Sequence, residues 1–247
     1  MIDILGLTGS PVGVRVLAPA QAPPSDALRL THHRYCQALM MARRGTSVAL
    51  DGGGLACPAA AAAFGFKPLP EGLASGKGLV GFGIAVAESV GATMFAGMPR
   101  LEPGRAGSLY LFALDTGQEQ PDVIVVEVEV EKLMWIGLAY LNATGGRRLS
   151  GSTAILQATC VDSTIVPLLE ARLNYGYGCY GCREATDLAP GEAVLGFPGA
   201  SLVAVLENLE ILGAKAIPKA RAKIPWKALI GGEAGTVAPA GPSVPAA

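Results

Sequence analysis

The chain has 247 residues, of which 51% are hydrophobic and only 16% charged, and 19 basic against 20 acidic residues give a formal net charge of −1. This composition can bury a large core, which excludes intrinsic disorder for most of the chain. The balanced charge gives no electrostatic basis for binding nucleic acid or an anionic membrane. Because so little charge is available to cover the surface, we expect a homo-oligomer in which a second copy covers apolar surface.

The N-terminal residues do not resemble a secretory signal, because they include no basic residue and carry the acidic Asp3. We therefore expect a cytoplasmic protein whose five cysteines are reduced thiols or metal ligands. The segment 79–98 is nearly apolar over 20 residues, but it contains Glu88 and four glycines. This favours a buried, broken helix over a membrane span.

The first half of the chain mixes predicted strands and helices irregularly. The predicted elements are a strand at 12–17, a helix at 26–44, a short strand at 47–50, an alanine-rich buried helix at 57–64 and a strand at 108–114. The clearest strand pattern covers 122–131, where Val126, Val128 and Val130 alternate with glutamates.

The second half continues the same mixture. It predicts a helix at 132–142, a strand-like segment at 153–160, a helix at 165–173, a loop rich in Gly, Tyr and Cys at 175–183, a short strand at 193–196 and a helix at 201–212. We expect an α+β (mixed α/β) fold, with one compact domain over 1–230 that combines a mixed sheet, packed helices and cysteine-bearing glycine-rich loops. A disordered Gly/Ala/Pro tail is expected over 231–247.

The strongest local motif is the CxxC pair Cys179 and Cys182, in a segment rich in glycine and tyrosine. Two thiols at this spacing bind one metal ion or cluster where glycines let the backbone wrap inward and point its N–H groups at sulfur. The residues expected to contact and tune that group are Gly178, Tyr180, Gly181 and Arg183.

Other interpretations of this motif remain open, namely a redox dithiol or a structural role. A structural zinc site usually adds a second CxxC or a His pair, and the sequence has neither. A thioredoxin-like dithiol requires the motif at a helix N-terminus that follows a strand, whereas the sequence here predicts an apolar helix and a glycine run before Cys179.

Three further cysteines are candidates to complete a four-cysteine site. Cys57 stands directly before Pro58 at a predicted helix start, where the helix N-terminus favours a thiolate. Cys36 lies in a predicted helix and Cys160 ends a predicted strand, and each also fits a core position. These three cysteines and the CxxC pair make five, which is one more than a four-cysteine site needs.

These segments together resemble a family catalogued as domain of unknown function 169, over about Pro11 to Pro225. The carrying motifs are Pro11-Val12-Gly13-Val14, Tyr35-Cys36-Gln37-Ala38, Ala56-Cys57-Pro58, Met98-Pro99-Arg100-Leu101, Pro121-Asp122-Val123-Ile124-Val125 and Gly178-Cys179-Tyr180-Gly181-Cys182-Arg183. The resemblance implies that Cys36, Cys57, Cys160, Cys179 and Arg183 belong to the family's pattern, but it implies no particular reaction.

Three functional hypotheses follow. In the first, Cys57, Cys179, Cys182 and one of Cys36 or Cys160 bind a 4Fe–4S cluster in a redox protein of anaerobic metabolism, with zinc or no metal as the alternative. In the second, a metal-free enzyme uses Cys179 to attack and Cys182 to resolve. In the third, 76–83 and 175–180 form an apolar pocket for a small molecule or cofactor.

The basic residues near the C-terminus bear on partners. They are Lys215, Lys219, Arg221, Lys223 and Lys227. They form either a solvated, partly extended segment or a docking surface for an acidic redox partner protein.

Overall fold

The computed structural model describes residues 1–116 and 119–224. Within them, seven strands form one sheet: β1 (Val12–Leu17), β2 (Leu28–Arg29), β3 (Val48–Asp51), β4 (Ser108–Ala113), β5 (Val123–Glu129), β6 (Asn174–Gly176) and β7 (Glu192–Pro198). The α-helices are α1 (Ile2–Leu5), α2 (Tyr35–Arg43), α3 (Pro58–Ala63), α4 (Glu71–Ala74), α5 (Lys77–Gly81), α6 (Glu88–Ala96), α7 (Val130–Ala143), α8 (Val166–Glu170), α9 (Tyr180–Ala185) and α10 (Leu202–Ala222). A π-helix spans Ala158–Ile165 and a 3₁₀ turn spans Gly199–Ser201.

The sheet has the strand order β2-β3-β4-β1-β5-β7-β6. The short β2 pairs with β3 in parallel, and the other pairs of neighbouring strands are antiparallel. A mixed sheet with helices packed on it confirms the predicted α+β fold of a single domain.

Helices cover both faces of the sheet around β5. Val123 and Val125 belong to a core shared with α2, α3 and the π-helix, whereas Ile124 and Val126 belong to a second core shared with α7 and α10. A strand that is buried on both faces has a nearly continuous apolar run, and β5 begins with such a run. Glu127 interrupts this run on the face of the first core, and only 4% of its surface is exposed.

The π-helix lies directly against the sheet, because β7 has a glycine at the point of contact. A Cβ atom placed on Gly196 would lie 1.8 Å from the carbonyl oxygen of Ser163. All eight residues of the π-helix are buried. Such segments occur frequently at functional sites.

Two predicted elements in the second half are wrong. The segment 153–160 is not a strand, because Gln157 adopts a left-handed conformation with φ of 46° and the π-helix begins at Ala158. The segment 175–183 is not one loop, because it contains the end of β6 and the start of α9.

Three helical predictions also need correction. The helix predicted at 26–44 begins only at Tyr35, where the Arg34 backbone N–H donates to the Gln37 side chain at 2.9 Å. The segment 79–98 is broken into α5 and α6 as expected, but it is not a buried helix: Phe82 is 65% exposed. The last helix continues to Ala222, so most of the basic stretch is helical. Lys227 and the predicted tail at 231–247 lie outside the described residues.

Candidate functional site

One pocket of about 320 Å³ brings together residues that are far apart in the sequence. It lies between α2, the start of α3, the short helices around 73–95, the π-helix and α9. All five cysteines line it, namely Cys36, Cys57, Cys160, Cys179 and Cys182. All five are free thiols.

Two of these thiols stand at helix N-termini. Cys57 is the N-cap residue of α3 and Pro58 occupies the first turn, as the sequence predicts. Cys179 is the N-cap residue of α9, and its sulfur accepts a hydrogen bond from the Cys182 backbone N–H at 3.3 Å. A helix N-terminus directs its N–H groups at the N-cap side chain and favours negative charge there.

The CxxC pair lies in a local structure that the sequence did not predict, between a strand and a helix. The strand β6 precedes Cys179 and α9 follows it, so the motif lies at a helix N-terminus after a strand. The two Sγ atoms are 3.1 Å apart. Because a disulfide bond is about 2.0 Å long, a small rotation of either side chain brings the sulfurs into bonding range.

The two cysteines of the pair differ in their surroundings. Cys179 is partly exposed in the pocket, whereas Cys182 is only 2% exposed. The Cys182 sulfur lies 3.0 Å from the hydroxyl oxygen of Thr159, a buried residue of the π-helix. Both thiols line the pocket, but Cys179 is the more exposed of the two and Cys182 lies deeper.

The surroundings of the pair raise the pKa of both thiols. The hydrogen bond with Cys182, together with burial, raises the pKa of the Cys179 thiol. For Cys182, the hydrogen bond with Cys179 lowers the pKa, but Cys36 and burial raise it to a net value of about 11. Burial also raises the pKa of the Cys160 thiol well above its usual range. A thiolate forms at this pair only when a base takes the proton.

Thr159 connects the pair to the buried carboxylate of Glu127. The Thr159 hydroxyl donates to Glu127 Oε1 at 3.4 Å. Burial raises the pKa of Glu127 to about 7, although the charge of Arg43 opposes this shift. We did not predict Glu127 as a site residue, but the signal is present: a single carboxylate follows four apolar residues in a strand that begins as a fully buried one.

The four residues expected around the CxxC pair divide into two groups. Tyr180 and Gly181 line the pocket. Gly178 does not line it; it adopts φ of +85°, a conformation that favours glycine. Arg183 also lies outside the wall, where its guanidinium donates to the backbone carbonyls of Tyr177, Ala189 and Glu192 at 2.5, 2.6 and 2.9 Å. These three bonds hold the loop on either side of α9.

Much of the remaining wall of the pocket is apolar. Its larger apolar side chains are Leu73, Leu79, Phe82, Ile84, Phe95 and Leu156, and the polar Gln157 and Thr159 also line it. Of the two segments expected to form an apolar pocket, 76–83 contributes Leu79 and Phe82, whereas 175–180 contributes only Cys179 and Tyr180. The charged residues Arg34 and Glu184 also line it, and they form an ion pair with an N–O distance of 2.7 Å. The site offers a ligand soft thiols on one side and apolar contacts on the other.

The donor set bears directly on metal binding. Thiolates are the ligands that zinc and iron–sulfur clusters prefer, and the pocket lining contains five cysteines. Among residues 1–116 and 119–224, no three His, Cys, Asp or Glu side chains form a group that could hold a metal ion. The residues thus have the chemistry of a cluster site, but the described geometry has the thiols around the pocket, not around one point.

The fold and the site define a class: an α+β protein with a pocket lined by cysteines from separate elements. The model of the DUF169 family, described as uncharacterised ArCR, matches residues 1–208. The chain therefore belongs to the DUF169 family, as the resemblance in the sequence implies. The searches of curated proteins and of solved structures found no match.

Within the described residues, no helix is both long enough and apolar enough to cross a membrane. The homo-oligomer, the redox partner protein and the cytoplasmic location expected from the sequence stay predictions.

Proposed function

We propose that the protein is a thiol–disulfide redox enzyme in which Cys179 attacks a bound substrate and Cys182 resolves the covalent intermediate. The observation that carries this proposal is the CxxC pair at the N-terminus of α9, with its sulfurs 3.1 Å apart. Attack by a thiolate on a disulfide, followed by attack of a second thiol on the mixed disulfide, is the usual route of thiol–disulfide exchange.

The unequal exposure of the two thiols supports this assignment of roles. Cys179 is partly exposed, and its sulfur accepts a hydrogen bond from the Cys182 backbone N–H. Cys182 is only 2% exposed and its sulfur lies 3.1 Å from that of Cys179. An attacking thiol needs access to substrate, whereas a resolving thiol needs access only to its partner sulfur.

The pocket supports a small substrate with little charge. Its volume of about 320 Å³ falls at the lower end of the range of small-molecule sites. The Arg34 and Glu184 charges neutralise each other, so a charged group on the substrate finds no free counter-ion in this pair. Phe82 and Leu79 offer the substrate apolar contact.

Reaction of the reduced protein with 2-hydroxyethyl disulfide, a small neutral disulfide, tests the proposal. We expect a loss of two hydrogens in the intact mass, and peptide mapping is expected to assign the new bond to Cys179 and Cys182. Cys182→Ser is expected to stop at a mixed disulfide on Cys179, and Cys179→Ser to prevent reaction at the pair. A wild-type protein whose pair remains reduced would contradict the proposal.

A second candidate function rests on a different observation, the convergence of all five cysteines on one pocket. We propose as the alternative that Cys57, Cys179, Cys182 and one of Cys36 or Cys160 hold a 4Fe–4S cluster, which would supply one-electron transfer. Backbone N–H groups at the starts of α3 and α9 would stabilise the negative charge of the cysteine thiolates.

The variant Cys57→Ser separates the two candidates. Serine is a favourable N-cap residue, so α3 is expected to keep its start. Under the dithiol proposal this variant still forms the bond between Cys179 and Cys182. Under the cluster proposal, wild-type protein purified without oxygen contains iron and acid-labile sulfide, and Cys57→Ser loses both.

A further inference from the structure

Glu127 is a buried carboxylate whose position in the sheet needs an explanation. It lies within β5, opposite Val194 of β7, on the same face as Val123 and Val125. Its Oε2 atom is buried and has no hydrogen-bond partner within the described residues. Burying an unsatisfied carboxylate is costly, and such groups are concentrated at functional sites.

A chain of contacts leads from this carboxylate to the pocket. Glu127 Oε1 accepts from the Thr159 hydroxyl at 3.4 Å, and the same hydroxyl oxygen lies 3.0 Å from the Cys182 sulfur. Because the hydroxyl proton points to Glu127, its oxygen is left to accept the thiol proton of Cys182. The Cys182 sulfur is in turn 3.1 Å from Cys179. Thr159 and Cys182 are both buried, at 1% and 2% exposure, so the route runs beneath the surface of the pocket that both residues line.

We propose that Glu127 is the base that takes the proton of Cys182, through the hydroxyl of Thr159, when Cys182 attacks the mixed disulfide on Cys179. This inference rests on the proposed thiol–disulfide function and adds the group that activates the resolving thiol.

The steps balance with a small disulfide, R–S–S–R, as the oxidant. The Cys179 sulfur attacks one sulfur of R–S–S–R as the S–S bond breaks, and the thiol proton of Cys179 passes to the leaving sulfur, which departs as RSH. Cys182 then passes its proton to the Thr159 oxygen while the Thr159 hydroxyl proton moves to Glu127. The Cys182 sulfur bonds to Cys179, and the second RS⁻ leaves and is protonated by solvent. The two cysteines lose two hydrogens, R–S–S–R becomes two RSH, and Glu127 holds one proton until the pair is reduced.

The charges around Glu127 suit a group that both accepts and returns a proton. Arg43 of α2 favours the ionised form, while Asp187 from the loop after α9 and Glu192 of β7 oppose it. On the side of the π-helix, Thr159 is its hydrogen-bond donor. With burial, these groups bring the pKa of Glu127 to about 7. A base is most effective when its pKa lies near the working pH.

Single-turnover reaction with one equivalent of 2,2′-dipyridyl disulfide tests the proposal, because the pyridine-2-thione released at each step is followed by absorbance. The first equivalent reports the attack by Cys179 and the second reports the attack by Cys182. We expect Glu127→Gln to slow the second phase by about a hundredfold at pH 8. It should also remove the rise in this rate through pH 7, and the first phase should keep its rate.

Two substitutions at Thr159 decide the result even where Glu127→Gln does not fold. Thr159→Val removes the hydroxyl and is expected to slow the second phase as Glu127→Gln does, whereas Thr159→Ser keeps the hydroxyl and the rate. An unchanged second phase, with its pH dependence intact, in Glu127→Gln or Thr159→Val overturns the inference but leaves the proposed function standing. A wild-type protein that releases no second equivalent overturns both.

Discussion

Because Glu127 is buried, we expect its replacement by glutamine to raise the free energy of unfolding at alkaline pH. In the folded protein the pKa of Glu127 is about 7, and its ordinary value is 4.5. The folded state therefore keeps a proton that the unfolded chain releases as pH rises above 4.5. The free energy of unfolding therefore decreases as pH rises from 4.5, and the decrease is complete once pH has passed through about 7.

The magnitude follows from the same two values. A difference of about 2.5 pKa units corresponds to about 3 kcal/mol. Glutamine has nearly the shape of the protonated side chain and cannot ionise. We therefore expect Glu127→Gln to unfold with about the same free energy as the wild type at pH 4.5, and to be more stable by about 3 kcal/mol at pH 8.5.

Urea unfolding of the reduced proteins at these two pH values measures the difference. Glu129→Gln is the matched control, because Glu129 lies on the same strand but is largely exposed and its pKa is lowered by Lys132. This control is expected to show no gain in stability as pH rises. If Glu127→Gln changed the free energy of unfolding by the same amount at both pH values, the argument that ionised Glu127 destabilises the folded protein would be refuted.

Three further substitutions test the packing around the site. Gly196→Ala is expected to cost more than about 3 kcal/mol in thermal unfolding, because its Cβ would lie 1.8 Å from the Ser163 carbonyl oxygen. A stability equal to wild type would mean that the π-helix does not lie against β7. Arg183→Lys should cost about 2 kcal/mol, since one ammonium group does not replace the guanidinium bonds to three carbonyls; faster proteolysis in the loops before and after α9 would report the loss. Tyr35→Phe removes a buried 2.9 Å bond to Thr164 and should cost about 1 kcal/mol in urea unfolding, without changing the reactivity of Cys179.

Regular patterns made the central sheet predictable. Val12–Leu17 and the valine-rich β5 lie where the alternation and the apolar runs predicted them. The alternation did not reveal that Glu127 is buried, because alternation alone does not tell whether one face or both faces of a strand are covered.

The elements around the pocket were harder to predict because they depend on single backbone conformations and on long-range contacts. The left-handed Gln157 ends the segment predicted as a strand, and the glycine-rich segment before Cys179 concealed β6. The sequence predicted which cysteines to examine. Their convergence depends on how α2, α3, the π-helix and α9 pack, which no local pattern encodes.

The most direct test of the central claim is the mass of the intact protein, purified without oxygen and measured under non-denaturing conditions before and after oxidation. We predict the mass of the chain alone in the reduced state and the loss of two hydrogens on oxidation, with the new bond between Cys179 and Cys182. A native mass that is heavier by four iron and four sulfide would contradict a free dithiol and establish the cluster in its place.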